Sequence, residues 1–127
     1  MPLALVDTSA WIHFFRHSSH PCSMAVDRLL ESNEAALCGV TELELRRGMR
    51  SSESLFLHSI LNASPYLEFV RNDFYEAGAL LDRLKKSGIN SGVPDALIAC
   101  LCIRLRIPLL SDDKDFRHFP GLQLASF

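Results

Sequence analysis

The chain has 127 residues, of which 48% are hydrophobic and 22% charged, and its formal net charge is -2. This composition predicts one compact domain over residues 1–127, because the chain is too short for two independent cores. It excludes intrinsic disorder, since almost half of the residues can enter a core. The longest uncharged runs fall far short of the ~20 apolar residues of a membrane span. No basic segment precedes an apolar one at the amino terminus, so we expect a cytoplasmic protein.

Apolar runs and helical periodicity alternate along the chain. Strands are predicted at residues 3–6, 34–38, 66–70 and 107–110, with a possible edge strand at 122–125. Helices are predicted around 11–15, over 24–30, in two parts between 41 and 63 with a break near 51–52, over 74–84 with Asn72 or Asp73 as the cap, and over 94–105. Residues 112–116 are predicted to form a turn or short helix. This order predicts a single α/β domain with a mainly parallel sheet flanked by helices.

Two groups of residues could suggest a zinc site. The four cysteines form no C-x-x-C pair, so we expect reduced, mostly buried thiols at these positions: Cys22, Cys38, Cys100 and Cys102. His13, His17 and His20 are a second candidate group, because 13 and 17 are one helical turn apart. No second pair of ligands accompanies them, so the pattern favours a polar helix end running into a loop.

Acidic residues stand at the points where the predicted strands end or the following helices begin. Asp7 follows the first strand, Glu44 lies in the first turn of the helix after the second, Asp95 opens a later helix and Asp113 follows the fourth strand. In a parallel sheet the loops after the strands gather along one edge, where ligands bind. The sequence therefore predicts that four carboxylates converge there.

Each acid also has a structural interpretation. Asp7 could cap a helix, and Glu44 could complete a capping box that starts at Thr41. Asp95 suits the positive end of a helix dipole, and Asp113 suits a turn. Capping alone does not require a carboxylate at all four places, because Ser, Thr and Asn cap as well.

Electrostatic repulsion favours a metal site over capping. Two carboxylates ~4 Å apart repel by ~4 kcal/mol at an effective dielectric of 20, so a convergent group needs protonation or a cation. Oxygen-only ligands select Mg²⁺ or Mn²⁺, and such a site suits phosphodiester hydrolysis. Gly48, one turn beyond Glu44, is expected to leave room for a neighbouring element to approach.

Four segments carry the acids: LVDTSAWI at 5–12, TELELRRG at 41–48, PDALIA at 94–99 and LSDDKDF at 110–116. In this order and at this spacing they resemble the four acidic motifs of PIN-domain ribonucleases, especially the VapC toxins of bacterial toxin–antitoxin pairs. The resemblance covers nearly the whole chain. It implies an Mg²⁺- or Mn²⁺-dependent endoribonuclease, homodimerisation, inhibition by a cognate VapB-like antitoxin and an RNA substrate such as tRNA.

Carried over by motif, the catalytic and metal-binding residues would be Asp7, Glu44, Asp95 and Asp113, with Asp115, Ser9 and Ser111 in secondary roles. Glu44 rather than Glu42 fits, because it stands four residues before Gly48. Ser111 occupies a position where the family usually has threonine. Because Asp112 and Asp113 are adjacent, either member of this doublet could be the fourth acid of the motifs. We favour Asp113, which stands two residues after Ser111.

The low net charge bears on RNA binding, because phosphate contacts need Lys and Arg. Bound divalent cations would add positive charge locally, and Arg46, Arg47 and Arg50 lie on the same helix as Glu44. These arginines are therefore candidate RNA contacts. The alternative is a non-catalytic PIN-like module that binds RNA or a protein, and acids at all four motif positions favour the nuclease over it.

Overall fold

The computed structural model describes residues 3–127, in which four short strands alternate with six α-helices. The elements in chain order are β1 (Ala4–Val6), α1 (Thr8–Arg16), α2 (Pro21–Glu31), β2 (Ala35–Cys38), α3 (Gly39–Gly48), α4 (Ser54–Ala63), β3 (Tyr66–Leu67), α5 (Arg71–Lys86), α6 (Val93–Leu105), β4 (Leu109–Leu110) and a 3₁₀ helix (Lys114–His118).

The strands form one parallel sheet in the order β3-β2-β1-β4. β1 and β2 are buried along their whole length, which explains why their sequences are continuously apolar rather than alternating. One hydrophobic cluster includes buried residues of α5 and α6, and a second includes residues of α1, α2 and α4. The predicted α/β class with a parallel sheet flanked by helices is confirmed.

Several predicted element boundaries are wrong. β3 is two residues long instead of five, and the predicted edge strand at 122–125 is a single parallel bridge from Leu124 to Leu109. α3 begins at Gly39 rather than Thr41, because Cys38 is the extended residue that precedes it. All three departures occur where backbone geometry, rather than apolar pattern, decides where an element starts or stops.

Gly39 lies against the end of the Tyr66 side chain. A Cβ atom built at Gly39 would lie 2.9 Å from the hydroxyl oxygen of Tyr66, which is closer than Cβ atoms approach other heavy atoms, so one of the two would have to shift. β2 and β3 pair side by side at this point, and Leu37 is the register partner of Tyr66. A side chain at Gly39 would therefore push Tyr66 away from the start of α3.

All four cysteines are free and buried, as predicted. Burial raises the pKa of every one of these thiols, to about 11 for Cys22. They therefore stay protonated and pack as small apolar groups. None of the helices within residues 3–127 combines the length and apolar character needed to span a bilayer.

Asp73 ties α5 to α6, although it is not the N-cap that the sequence suggested. The N-cap is Val70, whose N–H donates to Asp73 Oδ2 at 2.9 Å, and Arg104 donates to both oxygens of Asp73 at 2.7 and 2.9 Å. Burial alone would raise the pKa of Asp73, but these hydrogen bonds lower it overall. Asp73 is thus held as a carboxylate.

Replacing Asp73 by Ala is expected to destabilise the fold by about 2 kcal/mol, because it removes the acceptor of the Val70 N–H and leaves Arg104 with only the carbonyl of Glu68. Urea unfolding followed by circular dichroism measures the change. The matched control is Asp82→Ala, which removes an exposed ion pair with Lys86 within α5 and should leave the midpoint unchanged. Equal effects of the two variants would contradict the structural role of Asp73.

Candidate active site

Asp7 lies directly after β1 and is almost fully buried, with 5% of its surface exposed. Its Oδ2 atom accepts hydrogen bonds from the hydroxyl of Ser9 at 3.0 Å and from the hydroxyl of Ser111 at 2.9 Å. Burial raises the pKa of Asp7 and outweighs these hydrogen bonds, which lower it. A buried carboxylate oriented by two hydroxyls therefore sits at the carboxyl end of the central strand.

Glu44 lies in the second turn of α3 and not in the first, because the helix begins at Gly39. Thr41 is buried inside the helix, so the capping box proposed for the two residues is wrong. Instead the hydroxyl of Thr8 donates to Glu44 Oε1 at 2.8 Å. This bond joins the start of α1 to α3 and points Glu44 towards the end of β1.

Asp95 is the residue on which the other carboxylates converge. It lies in the first turn of α6, whose N-cap is Gly92. Its pKa is raised to about 6, first by burial and then by the negative charges of Asp7, Asp113, Glu44 and Asp115. The structure therefore places these four acids close enough to Asp95 for their charges to act on it.

The two acids of the doublet point to different neighbours. Asp113 accepts a hydrogen bond from the backbone N–H of Asp115 at its Oδ1 atom, 2.9 Å away, and so caps the 3₁₀ helix. Asp112 Oδ2 instead accepts from His13 Nε2 at 2.8 Å and lies 3.8 Å from His20 Nε2. The charge of Asp113 acts on Asp95, whereas the carboxylate of Asp112 is held by α1 and the start of α2.

Two serines connect the loop after β4 to the end of β1. Ser9 donates to Asp7 and accepts from the N–H of Asp112 at 3.0 Å. Ser111 also donates to Asp7 and accepts from the N–H of Asp113 at 3.0 Å. The hydroxyls thus fix both the Asp7 carboxylate and the backbone that carries the doublet.

His13, His20 and Asp112 form a compact group, with one ligand atom of each lying within 4.8 Å of the others. Nδ1 of His20, the N-cap of α2, accepts the N–H of Cys22 at 3.0 Å, so the neutral ring carries its proton on Nε2. The two imidazoles also stack, with centroids 3.8 Å apart and planes 9° apart. Parallel rings cannot both aim a lone pair at one ion. The group is therefore arranged to donate to Asp112 rather than to bind a metal.

The arginines of α3 differ in their surroundings. Arg46 forms an ion pair with Glu42 at 2.9 Å. Arg47 and Arg50 are exposed, and neither forms an ion pair within the described part of the chain. The expectation that Gly48 makes room for a neighbour is wrong, because a Cβ built there would meet no atom within 4 Å.

The donor set fits a hard divalent cation. The clustered groups are all carboxylates, and within residues 3–127 none of the five forms an ion pair with Lys or Arg: Asp7, Glu44, Asp95, Asp113 and Asp115. Carboxylate oxygens are the ligands that Mg²⁺ and Mn²⁺ prefer. Burial raises the pKa of Asp95, and the negative charges of Asp7, Asp113, Glu44 and Asp115 raise it further.

Thr8 is a site residue that the sequence interpretation does not single out, and it treats His13 and His20 only as part of a candidate zinc group. Thr8 stands between Asp7 and Ser9 in a run of polar residues directly after a buried strand. This position alone is enough to predict that Thr8 belongs to the site. The contacts of the two histidines had no such signal, because their partner, Asp112, follows them by more than 90 residues.

The fold is of the α/β class, with a parallel sheet. Acidic residues whose oxygen atoms suit a divalent cation gather at the carboxyl edge of this sheet. The PIN domain family model matches residues 4–122. The chain is 30% identical to ribonuclease VapC11 of Mycobacterium tuberculosis, with 98% of this chain and 99% of that protein covered. The chain belongs to the PIN domain family, and the resemblance seen in its motifs is confirmed.

Solved structures share the fold at low sequence identity. The crystal structure of VapBC2 from Rickettsia felis, bound to a DNA fragment from their promoter, matches with a TM-score of 0.82 and 21% identity over 98% of each chain. A toxin–antitoxin complex from Klebsiella pneumoniae matches with a TM-score of 0.73 and 22% identity over 94% of each chain.

The charge of Asp95 should make the stability of the metal-free protein depend on pH. The folded protein holds the proton of Asp95 up to about pH 6, whereas the unfolded chain releases it near pH ~3.9. The free energy of unfolding should therefore fall as the pH rises from about 4 to about 6. Thermal melts in EDTA across this window measure it.

The variant Asp95→Asn is the control for this pH dependence, since it removes one titrating group and should reduce the slope, whereas the raised pKa of Asp7 leaves a contribution in the same direction. Mg²⁺ should raise the melting temperature more at about pH 7.5 than at about pH 5, because protons compete with the cation at the lower pH. A melting temperature that is independent of both pH and metal would contradict a convergent acidic site.

Proposed function

We propose that this protein is an Mg²⁺- or Mn²⁺-dependent endoribonuclease and the toxin of a toxin–antitoxin pair. The observation that carries the proposal is the environment of Asp95, a half-buried carboxylate in the first turn of α6 on which the charges of four other acids act. The full-length similarity to a VapC ribonuclease supports the type of reaction. Asp7, Glu44, Asp95 and Asp113 are the proposed metal-binding and catalytic residues.

The chain's own residues prepare the site for an RNA phosphate. Ser9 and Ser111 orient Asp7, and Thr8 orients Glu44, so both carboxylates are positioned before substrate arrives. Asp113 uses one oxygen to cap the 3₁₀ helix and keeps the other for the site. A bound Mg²⁺ or Mn²⁺ supplies the Lewis acidity that attack of water on a phosphodiester requires.

The proposal assigns the RNA contacts of α3 unequally. Arg47 lies three residues after Glu44, on the same side of the helix, and is exposed without an ion pair among the described residues. Arg50 follows the end of α3 and is exposed as well. Arg46 is already paired with Glu42. Arg47 and Arg50 are thus better placed than Arg46 to bind phosphate.

We further propose a VapB-like antitoxin as the partner, a homodimer as the assembly and the cytoplasm as the compartment. Support for the antitoxin comes from the solved relatives, which include VapBC2 of Rickettsia felis and a toxin–antitoxin complex. Co-expression with the product of the adjacent open reading frame tests the partner. Copurification and loss of nuclease activity are the expected results.

The nuclease proposal is tested by incubating the antitoxin-free protein with total bacterial RNA in Mg²⁺, Mn²⁺ or EDTA and sequencing the fragment ends. We expect discrete cuts in Mg²⁺ or Mn²⁺ and none in EDTA. Asp7→Asn, purified in parallel, controls for contaminating ribonuclease. RNA binding without cleavage in either metal would favour the non-catalytic module and contradict the proposal.

A further inference from the structure

A pair of basic residues extends from the acidic site along the 3₁₀ helix. Side chains three residues apart are aligned in a 3₁₀ helix, so Lys114 and Arg117 lie on one side of Lys114–His118. Both are exposed, whereas Phe116 between them is buried in the core. Neither cation forms an ion pair within residues 3–127. They are therefore available to an external anion.

Lys114 and Arg117 line an open cavity of about 200 Å³. The same cavity is lined by Asp113, which caps the helix that carries both cations. Asp112 also lines it, but its carboxylate accepts a hydrogen bond from His13. The cavity thus adjoins one acid of the proposed site and both cations.

An aromatic ring stands on the other wall of this cavity. Phe127 lines it, with 46% of its surface exposed, and its ring lies 6.3 Å from the ring of His20. Exposed aromatic rings beside cations are the usual means of binding unpaired nucleotides. Every nucleotide offers a flat base for stacking on the ring and a phosphate that pairs with Lys or Arg. Leu124 adds an apolar surface to the same wall.

We propose that Lys114, Arg117 and Phe127 form a subsite for a nucleotide that flanks the scissile phosphate in single-stranded RNA. Lys114 and Arg117 bind the flanking phosphate, and Phe127 stacks on its base. The inference rests on the proposed ribonuclease function. It adds that the RNA is single-stranded next to the scissile phosphate and that it continues past Lys114, Arg117 and Phe127.

Fluorescence anisotropy tests the subsite with a labelled single-stranded oligoribonucleotide in Mg²⁺, in an Asp7→Asn background that prevents cleavage. Lys114→Gln combined with Arg117→Gln should weaken binding by about 10-fold and lower the salt dependence of log K by ~0.7, because the two cations share one phosphate and each phosphate contact to a single strand contributes ~0.7. Phe127→Ala should also weaken binding by about 10-fold. A duplex of the same sequence should bind less tightly.

Lys85→Gln is the matched control, since Lys85 is an exposed cation without an ion pair at the far end of α5. The subsite would be refuted if the Lys114→Gln/Arg117→Gln and Phe127→Ala variants lost no affinity, or lost no more than Lys85→Gln does. A parallel cleavage assay in the unmodified background should show a raised KM with little change in kcat. Absence of cleavage by the unaltered protein would contradict the ribonuclease function itself, whereas cleavage with an unchanged KM in the variants contradicts the subsite alone.

Discussion

Asp7→Asn is expected to lower the rate of RNA cleavage by at least ~10³-fold while leaving the fold intact. Asn has nearly the same shape as Asp and can still accept a hydrogen bond from Ser9 or Ser111, but it lacks the negative charge that binds a cation. Removing a buried charge from an acidic cluster also relieves repulsion. The melting temperature of the metal-free variant should therefore equal or exceed that of the unaltered protein.

The measurement is single-turnover cleavage of a defined RNA at saturating Mn²⁺, with thermal melts of the same samples. Ser111→Ala is the matched control, because it removes one hydrogen bond to Asp7 and keeps the charge. Ser111→Ala should lower the cleavage rate about 10- to 100-fold, as expected for a residue that orients a metal ligand. A cleaving Asp7→Asn/Asp95→Asn double variant would refute the assignment of both acids.

Asp113→Asn and Asp112→Asn should differ strongly in activity although the two residues are adjacent. The charge of Asp113 acts on Asp95, whereas Asp112 is held by His13 through a 2.8 Å hydrogen bond. We expect Asp113→Asn to reduce cleavage by at least ~10²-fold and Asp112→Asn to reduce it by less than ~10-fold.

The pair of variants is self-controlled, because each removes one negative charge from the same loop and keeps the shape of the side chain. Cleavage rates and the Mn²⁺ concentration for half-maximal rate should be measured for both. Asp113→Asn should raise the metal requirement, and Asp112→Asn should not. The reverse pattern would assign the fourth acid to Asp112.

The sequence predicted those parts of the fold and site that follow from local pattern. The apolar run before Asp7 and the Pro94–Asp95 pair mark a strand end and a helix start, and the structure places both acids at those points. Glu44 was selected by its distance from Gly48, but the local explanation was wrong. The capping box assumed that α3 starts near Thr41, and hydrophobic periodicity does not reveal that it starts at Gly39.

The remaining features depend on contacts between distant parts of the chain. Asp112 and Asp113 are equivalent in sequence pattern, and His13, 99 residues away, distinguishes them. The shortness of β3 also escapes a local interpretation, because residues 68–70 have the composition of a strand but find no partner strand. A local pattern reports the identity of a side chain and not its distant neighbours.

The bonds from Ser111 to Asp7 and from Ser9 to the N–H of Asp112 span 104 and 103 residues of chain. β1 lies between β2 and β4, so its carboxyl end is completed only when β4 docks beside it. During synthesis, which proceeds from the amino terminus, Asp7 can bond to Ser9 at once but gains its second hydroxyl partner, Ser111, only after 104 further residues have been made.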